Sequence, residues 1–488
     1  MSLITRTVFI SSLGIGYLGV TGLFSNIISI LSLADIGVNS VLMFTLYKPL
    51  VDDNQIAIKE IVHFFKKIYF MIAFIIAFVG VCIIPLLKYI INLEQPIENL
   101  WVYYLLLLSN TVVPYLFVYK STLILADQRS YLLKTYSIIF STIQFFAQIF
   151  VLIFLHNFIL FLVLQVLITV FNNIFSVKIT EKHYPFINGI SDELDRQSKL
   201  RIWSDIKALF LYRIGGIVIN NTDNILISTL VGTMAVGYYS NYLILTTSIM
   251  AFISVFYSAI QASVGNLSIY DSFEQRDRIY KTISFISFWI CGFSTLCFLI
   301  LFQDFINIWL GKEYLLDNTT MIIVVVNFYM SAMLNHVWLF REAAGLFRKT
   351  KYIVVLTSLI NIILSIILGK IYGVVGIIGA TVIARLVTNN WYEPFILYKY
   401  YLKKPVMEYF NEYILRTLFL SLIILFTYFI TSFLGGISIL TLLLKLLFCI
   451  LIGNGVFILA FRNKKEFKFV IESFFSMYSK FKNRDNLG

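Results

Sequence analysis

The sequence predicts an all-α polytopic membrane protein, and three observations carry that reading. Of its 488 residues, 59% are hydrophobic and only 13% are charged, against about 45–50% and about 25% in soluble domains. The mean hydropathy is +0.86. The apolar residues fall into stretches of about 20, parted by short polar breaks, the length a helix needs to cross about 30 Å of hydrocarbon. Runs such as Ile68–Leu87 and Thr417–Leu434 are apolar on every side, which argues against the two-residue alternation of a membrane barrel.

Roughly thirteen full spans are expected on this basis. They lie near Tyr17–Tyr47 (long, with a kink at Ala34–Gly37), Phe64–Ile91, Leu100–Ala126, Tyr131–His156, Phe158–Val177 and Ile206–Leu230. Further spans lie near Val236–Val264, Ile279–Trp309, Thr320–Phe340, Tyr352–Lys370, Val374–Tyr398, Tyr413–Phe433 and Ile437–Phe461. Met1–Leu13 is too short to cross. It opens on Ile4–Ser12 with no small-residue cleavage site, so no cleavable signal peptide is expected.

Cationic residues orient the spans. With the connection after the first long span in the cytoplasm, Lys59, Lys66 and Lys67 are inside. So are Arg129, Lys134, the bases of 178–207, Arg276, Arg278, Lys281, those of 348–351 and 399–404, and the tail from Arg462. Only Lys88, Lys312 and Lys370 fall outside, an asymmetry of about ninefold. The formal net charge of +12 therefore marks membrane orientation and not a nucleic-acid partner. The C-terminus is expected in the cytoplasm, where Arg462–Asn483 interleaves bases with phenylalanines as a helix lying in the interface does.

An offset of about 215–221 residues aligns the two halves of the chain. Gly22–Asn26 matches Gly237–Asn241, Ile90–Leu93 matches Phe305–Ile308, and Lys66 falls on Lys281. Tyr119-Lys120 matches Phe340-Arg341, and Tyr131 matches Tyr352. Parallel repeats of this kind belong to transporters that rock one half against the other around a central site. The expected divisions are an N-terminal lobe (1–179), a polar cytoplasmic linker (180–205), a C-terminal lobe (206–400), two additional transmembrane helices (401–461) and a basic amphipathic tail (462–488).

Several segments together resemble a known family. They are Leu33–Gly37 followed by Leu46–Leu50, Ala126–Tyr131, Asn221–Ser228 with Gly237–Tyr242, and Phe340–Phe347. With them the chain resembles the polysaccharide transporter branch, the Wzx-type flippases, of the multidrug/oligosaccharidyl-lipid/polysaccharide (MOP) flippase superfamily. The resemblance covers essentially the whole chain, and its motifs are not catalytic. It implies a MOP/MATE-like fold with two pseudo-symmetric six-helix lobes, two C-terminal helices and a V-shaped cavity. The substrate it implies is an undecaprenyl-diphosphate-linked oligosaccharide, carried to the outer leaflet of a bacterial cell membrane. One departure is that Thr5–Gly19 matches only the end of the family's first helix, so that helix is expected to be truncated or to start upstream.

Charges inside spans need a reason, because each costs roughly 2.5–3.5 kcal/mol at the bilayer centre. The candidates are Arg6, Asp35, Lys48, Lys120, Arg213, Asp223, Arg341, Glu342, Arg385, Arg416 and Lys445. Arg385 lies about 16 Å into its span, with Thr381, Thr388 and Asn389 on its face. Arg213, Asn220 and Asn224 share another face. Ser25, Ser29, Ser32 and Asn39 form a third stripe, and Asn327, Ser331, Asn335 and Glu342 a fourth. A diphosphate suits bidentate guanidinium groups. Arg385, Arg213, Lys120, Arg341, Arg6, Asn220 and Asn224 are therefore the expected substrate-binding residues. The alternative is that each charge pairs with a neighbouring helix and holds the fold. The repeat also sets Arg6 against Asp223 as a possible gate pair, and Asp223, Asp35 or Glu342 are the candidates for coupling to a proton or sodium ion.

The rival readings are a drug or small-molecule cation antiporter of the same fold, and a flippase for a peptidoglycan or teichoic acid precursor. Mostly positive cavity charges argue against the antiporter. A polymerase and other assembly proteins are possible partners, besides the lipid-linked oligosaccharide and the bilayer. No enzyme is expected: the external connections are short, no paired acid and base sits on them, and no nucleotide fingerprint is present. Cys82, Cys291, Cys297 and Cys449 all lie in apolar spans, the four histidines are scattered, and no cofactor or metal is expected.

Overall fold

A computed structural model describes residues 2–32, 38–87, 99–127, 129–189, 192–270, 273–344, 346–469 and 471–472. The side chains of 208–220 lie outside that description, as do Asp35 and the expected kink at Ala34–Gly37. The described chain is helical, without strands. It divides into two compact units, Met1–Gly237 and Tyr238–Gly488.

In the first unit, α1 (Ser2–Leu13) and α2 (Ile15–Leu31) are parted at Gly14, whose φ of 90° favours glycine. Next come α3 (Val38–Val51) and α4 (Gln55–Ile83). Between α2 and α3, residues 33–37 of the expected span Tyr17–Tyr47 lie outside the described residues. The Asn54 side chain caps α4 by accepting from the Ala57 amide at 3.0 Å. α5 (Leu100–Tyr115) and α6 (Val118–Ala126) follow one another with a bend of 50° after Pro114. Proline removes a helical donor and crowds the preceding turn, which accounts for the bend. α7 (Ser130–Phe150) and α8 (Phe158–His183) form a hairpin, with His156 in the left-handed region and Asn157 capping α8. α9 (Arg196–Leu230) follows, with α10 (Thr233–Tyr270) beginning before the boundary. α9 packs along α2. The connection between α8 and α9, expected as a polar linker, is anchored to this unit: Tyr184, Ile187 and Leu194 are buried in its apolar core.

The second unit contains most of α10, then α11 (Phe273–Trp309), α12 (Asn318–Ala343) and α13 (Phe347–Val387). It ends with α14 (Asn389–Leu397), α15 (Met407–Ser432), α16 (Ile439–Phe448) and α17 (Asn454–Phe461). Asp317 caps α12, and Ser438 with Thr441 forms a capping box on α16. α13 folds back on itself at Gly373, whose φ is 59°. Polar rungs join its two limbs and α14: Ser365 to the Ile377 carbonyl, Asn361 to Thr381, and Thr357 to Thr388 and Asn389. All of them centre on residues 371–373, so the limbs run antiparallel. At Gly376 a Cβ atom would strike the Leu368 carbonyl, so only glycine lets the limbs close.

Among the described residues, nine helices are long and apolar enough to cross a membrane, or ten if α5 and α6 count as one span. The count falls below thirteen for identifiable reasons. Residues 352–402 count once although they turn at Gly373, residues 33–37 of the first long span lie outside the description, and α9 has side chains outside it. Exposed Leu, Ile and Phe residues such as Phe74, Phe78, Leu422 and Phe426 cover the outer faces, as a lipid solvent requires. The tail segment docks on α11: Phe467 lies against Phe285 and Trp289, and Arg278 sits 5.0 Å above the Phe469 ring.

Candidate functional site

In the second unit, the guanidinium of Arg385 reaches from the return limb of α13 to α12. Its Nη1 donates to Asn327 Oδ1 at 2.8 Å and to Ser331 Oγ. Arg385 is half-buried and eleven residues from Val374, about 16 Å along the helix. The predicted face around it is divided. Thr388 and Asn389 turn to Thr357, Thr381 turns to Asn361, and only Arg385 faces the Asn327–Ser331 stripe. That stripe is the predicted one, and its first two members hold the arginine. Asn335 bonds instead to the Ala332 carbonyl.

The other predicted cations fall into a different environment. Arg341, only 4% exposed, meets Glu393 of α14, only 1% exposed, at 3.0 Å. Glu342 is 44% exposed and lies 3.6 Å from the same guanidinium. Lys120 on α6 binds Glu181 at the end of α8 and also donates to Asn188 at 3.3 Å. Lys445 meets Asp304 at 2.6 Å, and Arg416 meets Glu412 at 2.7 Å while donating to Ser284. Sequence reasoning did not single out Glu181, Glu393, Asp304 or Glu412. A signal was available for the first two, since each is an acid on the third helix of a repeated triplet whose first helix ends in a cation.

Arg6 is half-buried in α1, and Asp223 and Asn224 are buried in α9. Asn224 Oδ1 has no hydrogen-bond partner among the described residues. Arg213 and Asn220 carry side chains outside the described residues, and Asp35 lies outside them altogether. In the stripe of the first long span, Asn39 accepts from Thr122 at 2.7 Å, Ser32 bonds to its own helix, and Ser25 and Ser29 are exposed.

Outside the spans, the connection after α8 is tied down by charge. Tyr184 donates to Asp127 at 2.5 Å, and Asp127 also meets Arg129 at 2.8 Å. Glu193 joins Lys199 at 2.8 Å and Lys67 at 3.2 Å. Those hydrogen bonds, Lys199 first, hold its carboxyl below the usual range. Among the described residues, no group of three His, Cys, Asp or Glu is placed to hold a metal ion.

The two units reuse one construction. Asn327 lies 217 residues after Asn110, and Asn110 Oδ1 likewise accepts from the third helix of its own triplet, from Thr169 Oγ1 at 2.7 Å. Arg385 lies 216 residues after Thr169. The Lys120–Glu181 and Arg341–Glu393 pairs recur in the same way between first and third helices.

No protein-family model and no curated protein matches the chain. Solved structures do match. The chain is similar to the lipid II flippase MurJ in an inward closed conformation, with a TM-score of 0.65 at 15% identity over 94% of this chain and 96% of that one. It is also similar to an inward-facing multidrug resistance MATE family transporter of the MOP superfamily, with a TM-score of 0.60 at 12% identity over 78% and 90%. A Vibrio cholerae MATE transporter, VcmN, gives a TM-score of 0.57 at 11% identity over 83% and 94%. At these identities the likeness establishes the fold: an all-α polytopic architecture of the MOP transporter type.

Proposed function

We propose that the protein is a flippase of the MOP superfamily. In this reading it moves an undecaprenyl-diphosphate-linked oligosaccharide to the outer leaflet of a bacterial cell membrane for capsule or exopolysaccharide assembly. The observation that carries the reading is Arg385, a mid-span guanidinium that donates to Asn327 and Ser331 on α12. These bonds fix the position of the group at mid-span, and a planar guanidinium matches diphosphate oxygens in pairs. Lys120 and Arg341, paired to carboxylates, hold helices together in this account. The two lobes alternate access around the cationic site, with the lysine-rich connections and the C-terminus in the cytoplasm. Arg6 and Asp223 form the gate pair. Reversing either charge should abolish transport and reversing both should restore it.

A peptidoglycan or teichoic acid precursor carries the same diphosphate, and the likeness to a lipid II flippase keeps that substrate as the second reading. Cation antiport is disfavoured by the sign of the mid-span charge, because an organic cation calls for acids. The test is binding of undecaprenyl diphosphate to the full-length protein in nanodiscs. Arg385→Gln should raise Kd tenfold or more, with partial recovery in Arg385→Lys. An unchanged Kd in Arg385→Gln removes the reading.

A further inference from the structure

The mid-span of α8 carries a polar face that the cationic site does not use. Gln165, Thr169, Asn172, Asn173 and Ser176 recur at helical spacing and occupy one side of the helix. Leu160, Leu167, Phe171 and Phe175 are exposed on the other side, toward lipid. The polar face therefore turns into the unit. Its orientation is fixed by Thr169, which donates to Asn110 of α5 at 2.7 Å. At the start of the helix the same face is packed shut by Phe158, Phe161 and Leu162. In the middle it is not, since all five polar residues stay partly exposed. Asn172 Oδ1 is buried with no donor among the described residues. An acceptor left that way costs about 1–3 kcal/mol, and at bilayer depth nothing but water, protein or ligand can relieve it.

The face is also neutral. Phe158–Val177 and Leu100–Tyr115 contain no charged residue. A patch with many amide and hydroxyl groups and no charge selects a ligand with the same character, dense in hydroxyls and uncharged. Thr169 lies eleven residues from Phe158, as Arg385 lies eleven from Val374, so both sit about 16 Å into repeat-related spans.

We infer that Gln165, Thr169, Asn172, Asn173 and Ser176 of α8, with Asn110 of α5, form a neutral hydrogen-bonding site for the sugar portion of the substrate. The inference rests on the diphosphate reading above, because that reading supplies a substrate that carries sugars. The substrate class is then a diphosphate carrier whose attached glycan is uncharged where it meets α8. An acidic sugar at that place would find hydrogen-bond partners but no cation.

The experiment compares two probes on the full-length protein in nanodiscs: undecaprenyl diphosphate, and the same carrier bearing an N-acetylglucosamine disaccharide. The readout is the ratio of the two affinities. The wild-type protein should bind the sugar-bearing probe about tenfold more tightly. Gln165→Leu with Asn172→Leu should bring that ratio close to one, while Arg385→Gln weakens both probes and keeps the ratio. Asn172→Ser, which retains a hydroxyl, should give an intermediate ratio and so separates loss of hydrogen bonding from loss of folding. A wild-type ratio of one, or a wild-type ratio in the double variant, overturns the inference and leaves the diphosphate reading standing. Failure of the wild-type protein to bind either probe removes the diphosphate reading itself.

Discussion

The α5/α6–α8 triplet of the first unit and the α12–α13/α14 triplet of the second are built alike and equipped differently. Each has an asparagine on its first helix that accepts from its third, and each has a cation at the end of the first helix paired with an acid on the third. The donor to the asparagine differs: threonine in the first unit, arginine in the second. The same arrangement recurs in both units, with a neutral donor in one and a charged donor in the other. The ion pairs differ as well. Arg341–Glu393 is sealed from water, whereas the side chains of Lys120 and Glu181 are 17% and 31% exposed.

That second difference gives the largest expected effect. Glu393→Leu takes the buried carboxylate away from a buried guanidinium, a kind of loss that costs about 3–5 kcal/mol, and should lower Tm in detergent well below that of the wild-type protein. Glu181→Leu, at a partly exposed pair, should cost only ~1 kcal/mol. Arg341→Met combined with Glu393→Leu should recover much of the loss, since apolar replacement of a buried pair is often neutral. Equal Tm shifts for the two glutamate variants would break the comparison.

A smaller effect is expected at the α13 hairpin. Gly376→Ala drives a Cβ into the Leu368 carbonyl, a backbone atom that cannot swing aside, and overpacking of this kind costs about 1–3 kcal/mol. Gly379→Ala, where nothing lies within 4 Å, should leave Tm unchanged or slightly raised. The same thermal melts check both.

The smallest effect concerns the connection after α8. Glu193 is exposed and its carboxyl is held low by Lys199 and Lys67. A depressed carboxylate stabilises above its unfolded pKa and loses that contribution as pH falls through the folded one. Cleavage of residues 184–195 by an acid-active protease should therefore increase only once pH drops below the usual carboxylate range. Replacing Lys199 with Met should move that onset upward.

Much of this was legible in the sequence. The apolar runs placed most of the helices, the offset of about 215–221 residues foresaw the duplicated triplets, and mid-span position pointed to Arg385 and to the Asn327–Ser331 stripe. Partners were harder to read. The pairs join residues 61 and 52 positions apart, so beyond the recurrence of an acid on the third helix of each triplet only tertiary packing brings Glu181 to Lys120 and Glu393 to Arg341. The neutral stripe of α8 also passed unnoticed, since uncharged residues in an apolar run carry little weight in a search for intramembrane charge.

The central claim is that Arg385, the mid-span guanidinium positioned on Asn327 and Ser331, handles the substrate, while Lys120 and Arg341, paired with Glu181 and Glu393, hold the fold. Proteoliposomes carrying fluorescent undecaprenyl diphosphate, with dithionite quenching to time its appearance in the outer leaflet, measure this directly. At matched protein levels, Arg385→Gln should slow flipping tenfold or more, and Lys120→Met with Glu181→Leu should stay within about threefold of wild type, fold-changes of about 1.4 kcal/mol and less in barrier height. Comparable slowing in both variants, or undiminished flipping in Arg385→Gln, would contradict the account.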